Sequence, residues 1–441
     1  MQRCRLMTFA HYQPKINPTF RPAKDETAGF MHVEGGNNPA LAEWEAAGLE
    51  QPDLHVIRKY RLERIREQLR QRDVAGCLLY DPLNTRYALE STNMQIWAMH
   101  NPVRYAFIAT DGPAILFDYH SCRHISEGFS LIDEIRPSIS YFYFDAGDRE
   151  TEQASRWAAE IVDLVKTYGA GNKRILVDKC EPIGIWELQR LGLEVDQSQA
   201  FTELARKIKH PEELKAMRRS VHACETGMWA MWDAMEPGMT ENELWAELHK
   251  ANIARGGEWI ETRLLASGPR SNPWFSECSD RVIQRGEIVA FDTDLIGPYG
   301  YCCDISRTWV AGVDKATPEQ DDLLRIALDH IQTNIDLFRP DMSFRELSEE
   351  GYVLPEDCRA GRYGVVLHGV GLCDEYPAIK YPEDWDKSGY DGHFEPGMVI
   401  CFETYVGREG GKEGVKIERQ AVVTETGVDL MDVFPLGFFP S

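Results

Sequence analysis

Two hydrophobic segments of this sequence end in a carboxylate in the same way. GEIVAFD (286–292) stops at Asp292, and GMVICFE (397–403) stops at Glu403. An acid buried alone at the end of an apolar strand is costly. Two such acids facing one another need a cation between them. Each segment runs on into a hairpin. In FDTDLIGPYGYCCDISRTWV (291–310) GPYG makes the turn, Asp292 and Asp294 share a strand face, and Asp304 comes back on the returning strand. In CFETYVGREGGKEGVKIERQAVVTETG, Glu403 lies on the outgoing strand and Glu418 on the returning one. His368 sits in VVLHGVGL, where two glycines permit close backbone approach. Together these five carboxylates and one imidazole form a hard, oxygen-rich donor set. It suits a dinuclear site for iron, manganese, cobalt or zinc. The bland alternative is a group of solvated hairpin carboxylates, and the repetition of the donors argues against it.

The elements that would carry these donors also repeat. EPGMTENEL (236–244) and RPDMSFREL (339–347) each follow a long helix. Thr240 with Glu243, and Ser343 with Glu346, each make a capping box that starts a second helix. Helix, helix, then strands thus occurs twice between about 207 and 425, which predicts an α+β domain with an internal pseudo-two-fold duplication over 205–441. Residues 53–204 read differently. A helix at 54–72, the strand VAGCLLY (74–80), strands at 106–110 and 114–119, a helix at 150–168 and the strand at 174–178 alternate as in an α/β domain. His120 and His124 there lack a third ligand. Residues 1–52 are polar and rich in Pro and Gly, yet carry Phe9, Tyr12, Phe20, Phe30 and Trp44. They read as an arm packed on the body or on a second subunit.

Composition excludes several classes. In 441 residues, 48 Lys and Arg face 71 Asp and Glu, a net charge of −23. A nucleic-acid binder needs a basic face, and an anionic membrane repels such a chain. Eleven cysteines at irregular spacing, with no CxxC pair, fit neither a zinc finger nor a disulfide framework. No apolar run is long enough for a membrane span, and the first residues lack the apolar core of a signal peptide. The expectation is a reduced, cytoplasmic, soluble protein.

The order Asp, Asp, His, Glu, Glu on a duplicated scaffold resembles the pita-bread metallohydrolases. These include methionine aminopeptidase, aminopeptidase P and prolidase, with creatinase as a relative that has lost its metal. The resemblance rests on GEIVAFDTD, YCCDISRTW, LHGVGL, GMVICFE and GVKIERQAVVTETG. It covers nearly all of 55–441 and implies a creatinase-like α/β domain ahead of a pita-bread domain. The family's spacing between its two hairpin Asp falls between the distances to Asp304 from Asp292 and from Asp294. An insertion in the hairpin would make both of them ligands.

Two histidines that handle peptides in this family are missing. Trp274, in NPWF, stands where one is expected. Asp374 or Glu375, in HGVGLCDEYP, takes the place of the other, depending on a one-residue gap. Losing both removes groups that a peptide tetrahedral intermediate needs. This argues against an Xaa-Pro aminopeptidase or prolidase activity, which stands as the alternative. The complete ligand set argues against metal-free creatinase-like chemistry and against a non-catalytic binding relative. Trp274 and Phe275 offer aromatic faces that attract an onium cation, unless Trp274 is plain core. A carboxylate beside a metal suits proton removal from a carbon acid. The site therefore fits a small zwitterion with a carboxylate at one end and an onium group at the other.

The whole pattern resembles the DddP-type dimethylsulfoniopropionate lyases of marine bacteria. That resemblance implies cleavage of dimethylsulfoniopropionate to dimethyl sulfide and acrylate in a homodimer, with iron as the metal. Carried onto matching positions, it implies metal binding by Asp292, Asp294, Asp304, His368, Glu403 and Glu418. It implies a base at Asp374 and a substrate contact at Tyr363, five residues before His368. It also implies that Trp97, in NMQIW, reaches the site of a partner.

Overall fold

The computed structural model describes residues 38–339 and 341–440. Most of the expected arm, including Phe9, Tyr12, Phe20 and Phe30, lies outside these residues. Two compact units emerge, residues 54–205 and residues 38–53 together with 206–440. The described end of the arm is thus part of the second unit. It forms the helix Pro39–Ala46, which buries Trp44.

The first unit is built on a six-stranded sheet of β1 (Gly76–Leu79), β2 (Tyr105–Ala109), β3 (Ala114–Asp118), β4 (Glu134–Pro137), β5 (Arg174–Val177) and β6 (Glu194–Gln197), in the order β4-β3-β2-β1-β5-β6. The four inner strands are continuous apolar runs and are buried almost throughout, as strands covered on both faces must be. The edge strands EIRP and EVDQ carry charge and stay partly exposed, which blocks further pairing. Helix Glu150–Tyr168 turns Ala154, Trp157, Ala158, Ile161 and Val165 into this core at helical spacing.

The second unit contains the duplication. Helices Pro211–Ala234 and Glu241–Ala254 precede β7 (Leu265–Ser267), β8 (Ile288–Asp292), the short pair β9 (Leu295–Ile296) and β10 (Cys302–Cys303), and β11 (Ser306–Val310). Helices Pro318–Leu337 and Phe344–Glu350 precede β12 (Leu367–Val370), β13 (Asp374–Ile379), β14 (Val399–Gly407), β15 (Gly414–Val423) and β16 (Val428–Leu430). The antiparallel order β7-β8-β11 in the first half matches β12-β14-β15 in the second. Both expected capping boxes form with nearly the same geometry. Thr240 Oγ1 accepts from Glu243 N at 3.1 Å while the Glu243 carboxylate accepts from Thr240 N at 2.7 Å, and Ser343 and Glu346 repeat both distances.

Alternation sorts the hairpin side chains. Phe291 and Trp309 pack on one side, where Trp309 meets Trp232 of the first long helix. Ile400, Phe402 and Ile417 join the core beneath helix Pro318–Leu337. The opposite faces of the two hairpins meet where β11 adjoins β15. There Thr308 Oγ1 donates to Lys416 O at 2.8 Å and accepts from Lys416 N at 2.9 Å. Arg307, fully buried, fastens the same seam. Its five donors all find acceptors: Ser306 O, Glu418 O, Phe434 O, Pro435 O and the carboxylate of Asp432 at 2.6 Å. Asp432 is buried too and also accepts from Arg419. Asp432→Ala would leave the Arg307 charge buried without a counter-ion. It should destabilise the protein by about 3–5 kcal/mol in chemical denaturation, and a loss below about 1 kcal/mol would show that the backbone carbonyls alone suffice.

Candidate metal centre

The register of the first hairpin places its three acids. Ser306 pairs with Asp292, Leu295 with Cys303 and Ile296 with Cys302, so one register runs through both ladders and sets Asp294 opposite Asp304. The strand is interrupted between Asp292 and Leu295, and Asp294 takes a left-handed φ of 35°, a conformation Asp tolerates better than most residues. In the second hairpin Glu403 and Glu418 are direct cross-strand partners. His368 lies on β12 at a register shift before Gly369. A Cβ on Gly369 would sit 2.5 Å from Tyr376 O, so only glycine lets the two strands approach there.

All six expected ligands are buried and come together. Within 4.8 Å of one another lie donor atoms of Asp292, Asp294 and Asp304, of Asp292, Glu403 and Glu418, and of Asp304, His368, Cys401 and Glu418. The groups overlap through Asp292, Asp304 and Glu418, a pattern that suits two ions sharing bridging carboxylates. His368 Nε2 is 3.1 Å from Glu418 Oε1 and 3.4 Å from Asp304 Oδ2. Its Nδ1 lies 3.1 Å from Gly369 O. A proton on Nδ1 given to that carbonyl leaves the Nε2 lone pair free for a metal. Among the described residues, Asp304 Oδ1 and Glu403 Oε2 are buried without a hydrogen-bond partner. Acceptors placed like these inside a cluster of acids suit a cation.

Lys416 is a functional residue that the sequence reading passed over. Its ammonium is buried 2.6 Å from Glu403 Oε1 and 3.0 Å from both Asp292 Oδ2 and Glu418 Oε2, and it donates to Ser306 Oγ at 2.7 Å. Ser306 Oγ also lies 2.6 Å from Asp292 Oδ1 and 2.8 Å from Glu418 Oε2. Lys416 shares its strand face with Glu418, two residues on, and that spacing could have revealed it. Cys401 could have been found in the same way, two residues before Glu403. Lys416 claims one oxygen from each of three carboxylates; of their second oxygens, Asp292 Oδ1 meets Ser306, Glu418 Oε1 meets His368, and Glu403 Oε2 has no hydrogen-bond partner. One ammonium cannot neutralise five acids.

The electrostatics say the same. Burial, then the neighbouring acids, push Asp294 and Asp304 well above the usual carboxylate range. Burial and Glu418 push Glu403 up to about 8 despite Lys416. Burial also works against Glu418, but Lys416 and His368 hold it below the usual range. His368 is likewise desolvated, yet Asp374, Glu418 and Glu403 raise its pKa well above the ordinary imidazole value.

Just outside, Asp374 and Glu375 part company. Asp374 opens β13 with its side chain 56% exposed, and its Oδ1 lies 3.8 Å from His368 Nδ1. Glu375 is buried and held by Arg206 Nε at 2.9 Å, Lys209 Nζ at 3.0 Å and Leu372 N at 3.1 Å. Burial opposes its charge, but Lys209 and Arg206 win and lower its pKa. Tyr363 lies over the Lys416 ammonium, 4.6 Å from ring centroid to Nζ. Trp274 is a core side chain, 6% exposed and stacked on Tyr405. Its neighbour Phe275 is 60% exposed. Trp97 belongs to the first unit, on helix Gln95–His100, with its ring 5.5 Å from that of Tyr119 and 37% exposed.

A pH dependence follows. An acid with a raised folded pKa keeps its proton in the folded chain where the unfolded chain has lost it. Its stabilisation is therefore present below the unfolded value, about 4.3 for Glu, and is lost as pH climbs through the folded value. Metal-free protein should melt at progressively lower temperature from about pH 6 to pH 8, a range where ordinary carboxylates are already ionised. The rise in Tm on adding metal should grow over the same interval, because metal takes the deprotonated acids. Melting curves that coincide across this range would mean the cluster is not short of positive charge.

The model for Metallopeptidase family M24 matches residues 215–425. A similar fold occurs in the Xaa-Pro dipeptidase from Bacillus anthracis, with a TM-score of 0.68 at 20% sequence identity, covering 86% of this chain and 98% of that one. The dimethylsulfoniopropionate lyase DddP of Roseovarius nubinhibens is 45% identical over 408 residues, 91% of each chain. The protein of the same name from Roseobacter denitrificans is 43% identical over 406 residues, again 91% of each. With this identity sustained through both units, the chain belongs to the DddP family of dimethylsulfoniopropionate lyases.

Proposed function

We propose that the protein is a metal-dependent carbon–sulfur lyase that splits dimethylsulfoniopropionate into dimethyl sulfide and acrylate. The observation that carries this reading is a solvent-accessible carboxylate, Asp374, beside a buried cluster of metal-binding acids. Asp292, Asp294, Asp304, His368, Glu403 and Glu418 hold the metal, and iron suits this donor set of oxygens and one imidazole. The metal, when bound, supplies a Lewis acid that takes the substrate carboxylate and stabilises negative charge on the adjacent carbon. Asp374 accepts a proton from that carbon. The electron pair released forms the carbon–carbon double bond of acrylate, and the carbon–sulfur bonding pair leaves with sulfur. Dimethyl sulfide departs as a neutral molecule, so no general acid is required for it.

Tyr363, above Lys416, lines the way in and orients the substrate. Glu375 keeps the turn ahead of β13 in place through Arg206 and Lys209. The ten described cysteines are all free thiols, which supports a reducing, cytoplasmic location. No helix among the described residues is long and apolar enough to cross a membrane. The enzyme works as a homodimer, in which the exposed Trp97 approaches the partner's site.

Purified metal-loaded protein should release volatile sulfide from dimethylsulfoniopropionate and leave X-Pro dipeptides intact. Peptide turnover at a comparable rate would favour a prolidase-type activity. Asp374→Asn should lower kcat by about two to four orders of magnitude, the usual worth of a general base, with metal content unchanged. Glu375→Gln should act on stability instead. It removes a buried negative charge that Arg206 and Lys209 both contact, a change of about 3–5 kcal/mol. A normal kcat in Asp374→Asn would move the base to another group.

A further inference from the structure

Phe275 breaks two ordinary rules at once. It is a large apolar side chain left 60% exposed, and its backbone sits in the left-handed region at φ 73°. A bulky residue adopts that conformation only when its surroundings impose it, and such positions cluster at ligand sites. The surroundings here are firm. Asn272 Nδ2 donates to Arg408 O at 2.9 Å and to Gly411 O at 3.0 Å. The Tyr405 hydroxyl lies 2.8 Å from Ser271 O and 2.9 Å from Asn272 Oδ1, and Ser271 Oγ accepts from Gly414 N at 3.1 Å. Trp274, packed on Tyr405, anchors the next residue in the core. The exposure of Phe275 is therefore built in.

The exposed ring meets that of Tyr363, with centroids 5.1 Å apart and planes inclined by 31°. The Tyr363 ring also reaches inward to Lys416, whose ammonium touches Asp292, Glu403 and Glu418. A chain of side-chain contacts thus runs from the carboxylate cluster through Lys416 and Tyr363 to Phe275. A short zwitterion bound by its carboxylate at the inner end would carry its cation to the outer end. The exposed Phe275 ring there suits an onium group, which has no proton to donate and is attracted by the aromatic quadrupole.

We propose that Phe275, with Tyr363, forms the seat for the cationic end of the substrate, and that Phe275 sets the preference for an onium acid over a neutral acid of the same shape. This rests on the lyase reading above and assigns its cation contact to the exposed ring beside Trp274. The test compares wild type, Phe275→Leu and Phe275→Ala, each checked for metal content and melting temperature. Kinetics on dimethylsulfoniopropionate are combined with calorimetric binding of two acids of the same shape, 3-(trimethylammonio)propionate and 4,4-dimethylpentanoate, which carries carbon in place of the cationic nitrogen. Phe275→Ala should raise KM and weaken binding of the ammonium acid by about 5- to 30-fold, the fold-change expected of a cation–π contact that substrate binding desolvates. It should leave kcat and the affinity for 4,4-dimethylpentanoate within about twofold, and Phe275→Leu should behave like Phe275→Ala. An unchanged KM and unchanged binding of the ammonium acid, or equal loss for both acids, would overturn the proposal. If wild type released no sulfide the lyase reading would fall, while the calorimetric comparison would still decide whether Phe275 recognises a cation.

Discussion

Five buried carboxylates facing one another across two hairpins are the constraint on which the second unit depends. In water they would separate. Here Asp292, Asp294, Asp304, Glu403 and Glu418 are fixed by strand register and cannot. The chain itself supplies one full counter-charge, Lys416, and an imidazole that the acids hold protonated when no metal is present. The remaining charge calls for metal ions. The fold therefore keeps a high-energy arrangement in place so that a cation can relieve it.

Much of the rest of this unit serves to hold that arrangement. Arg307 and Asp432 clamp the seam between β11 and β15 from behind, and Thr308 ties the same strands edge to edge. Ser306 sits between Asp292 and Glu418 and accepts a hydrogen bond from Lys416. Duplicated helices cover the outer faces, so each half contributes one hairpin to a shared interior. The chemistry differs from that of peptidases with the same fold by what stands at the rim. Of the places where peptide-handling histidines were expected, one holds the buried Trp274 and the other the exposed Asp374 followed by the buried Glu375.

Most of the acid cluster was legible because strand chemistry has a period of two. Asp292 and Glu403 follow matching apolar runs, and Asp304 and Glu418 return beside them. The capping boxes at Thr240 and Ser343 were readable for a similar reason, since local spacing alone forms them. The rivalry between Asp374 and Glu375 was not readable. Arg206 and Lys209, which hold Glu375 in the interior, lie more than 160 residues away. Trp274 and Phe275 are adjacent and both aromatic, and only the left-handed backbone decides which ring faces solvent. Lys416 hides for another reason. A lysine in a hairpin between charged residues reads as a solvated side chain until the opposing hairpin encloses it.

The central claim is that metal held by the buried acids makes the elimination possible. The most direct measurement is an anaerobic titration of metal-free protein with ferrous iron, following bound metal and dimethyl sulfide release together. The account predicts no release without metal and a rise with occupancy that levels off at about two ions per chain, as a shared-carboxylate site requires. Full-rate release by protein stripped of all metal, or fully loaded protein that releases no dimethyl sulfide, would contradict it.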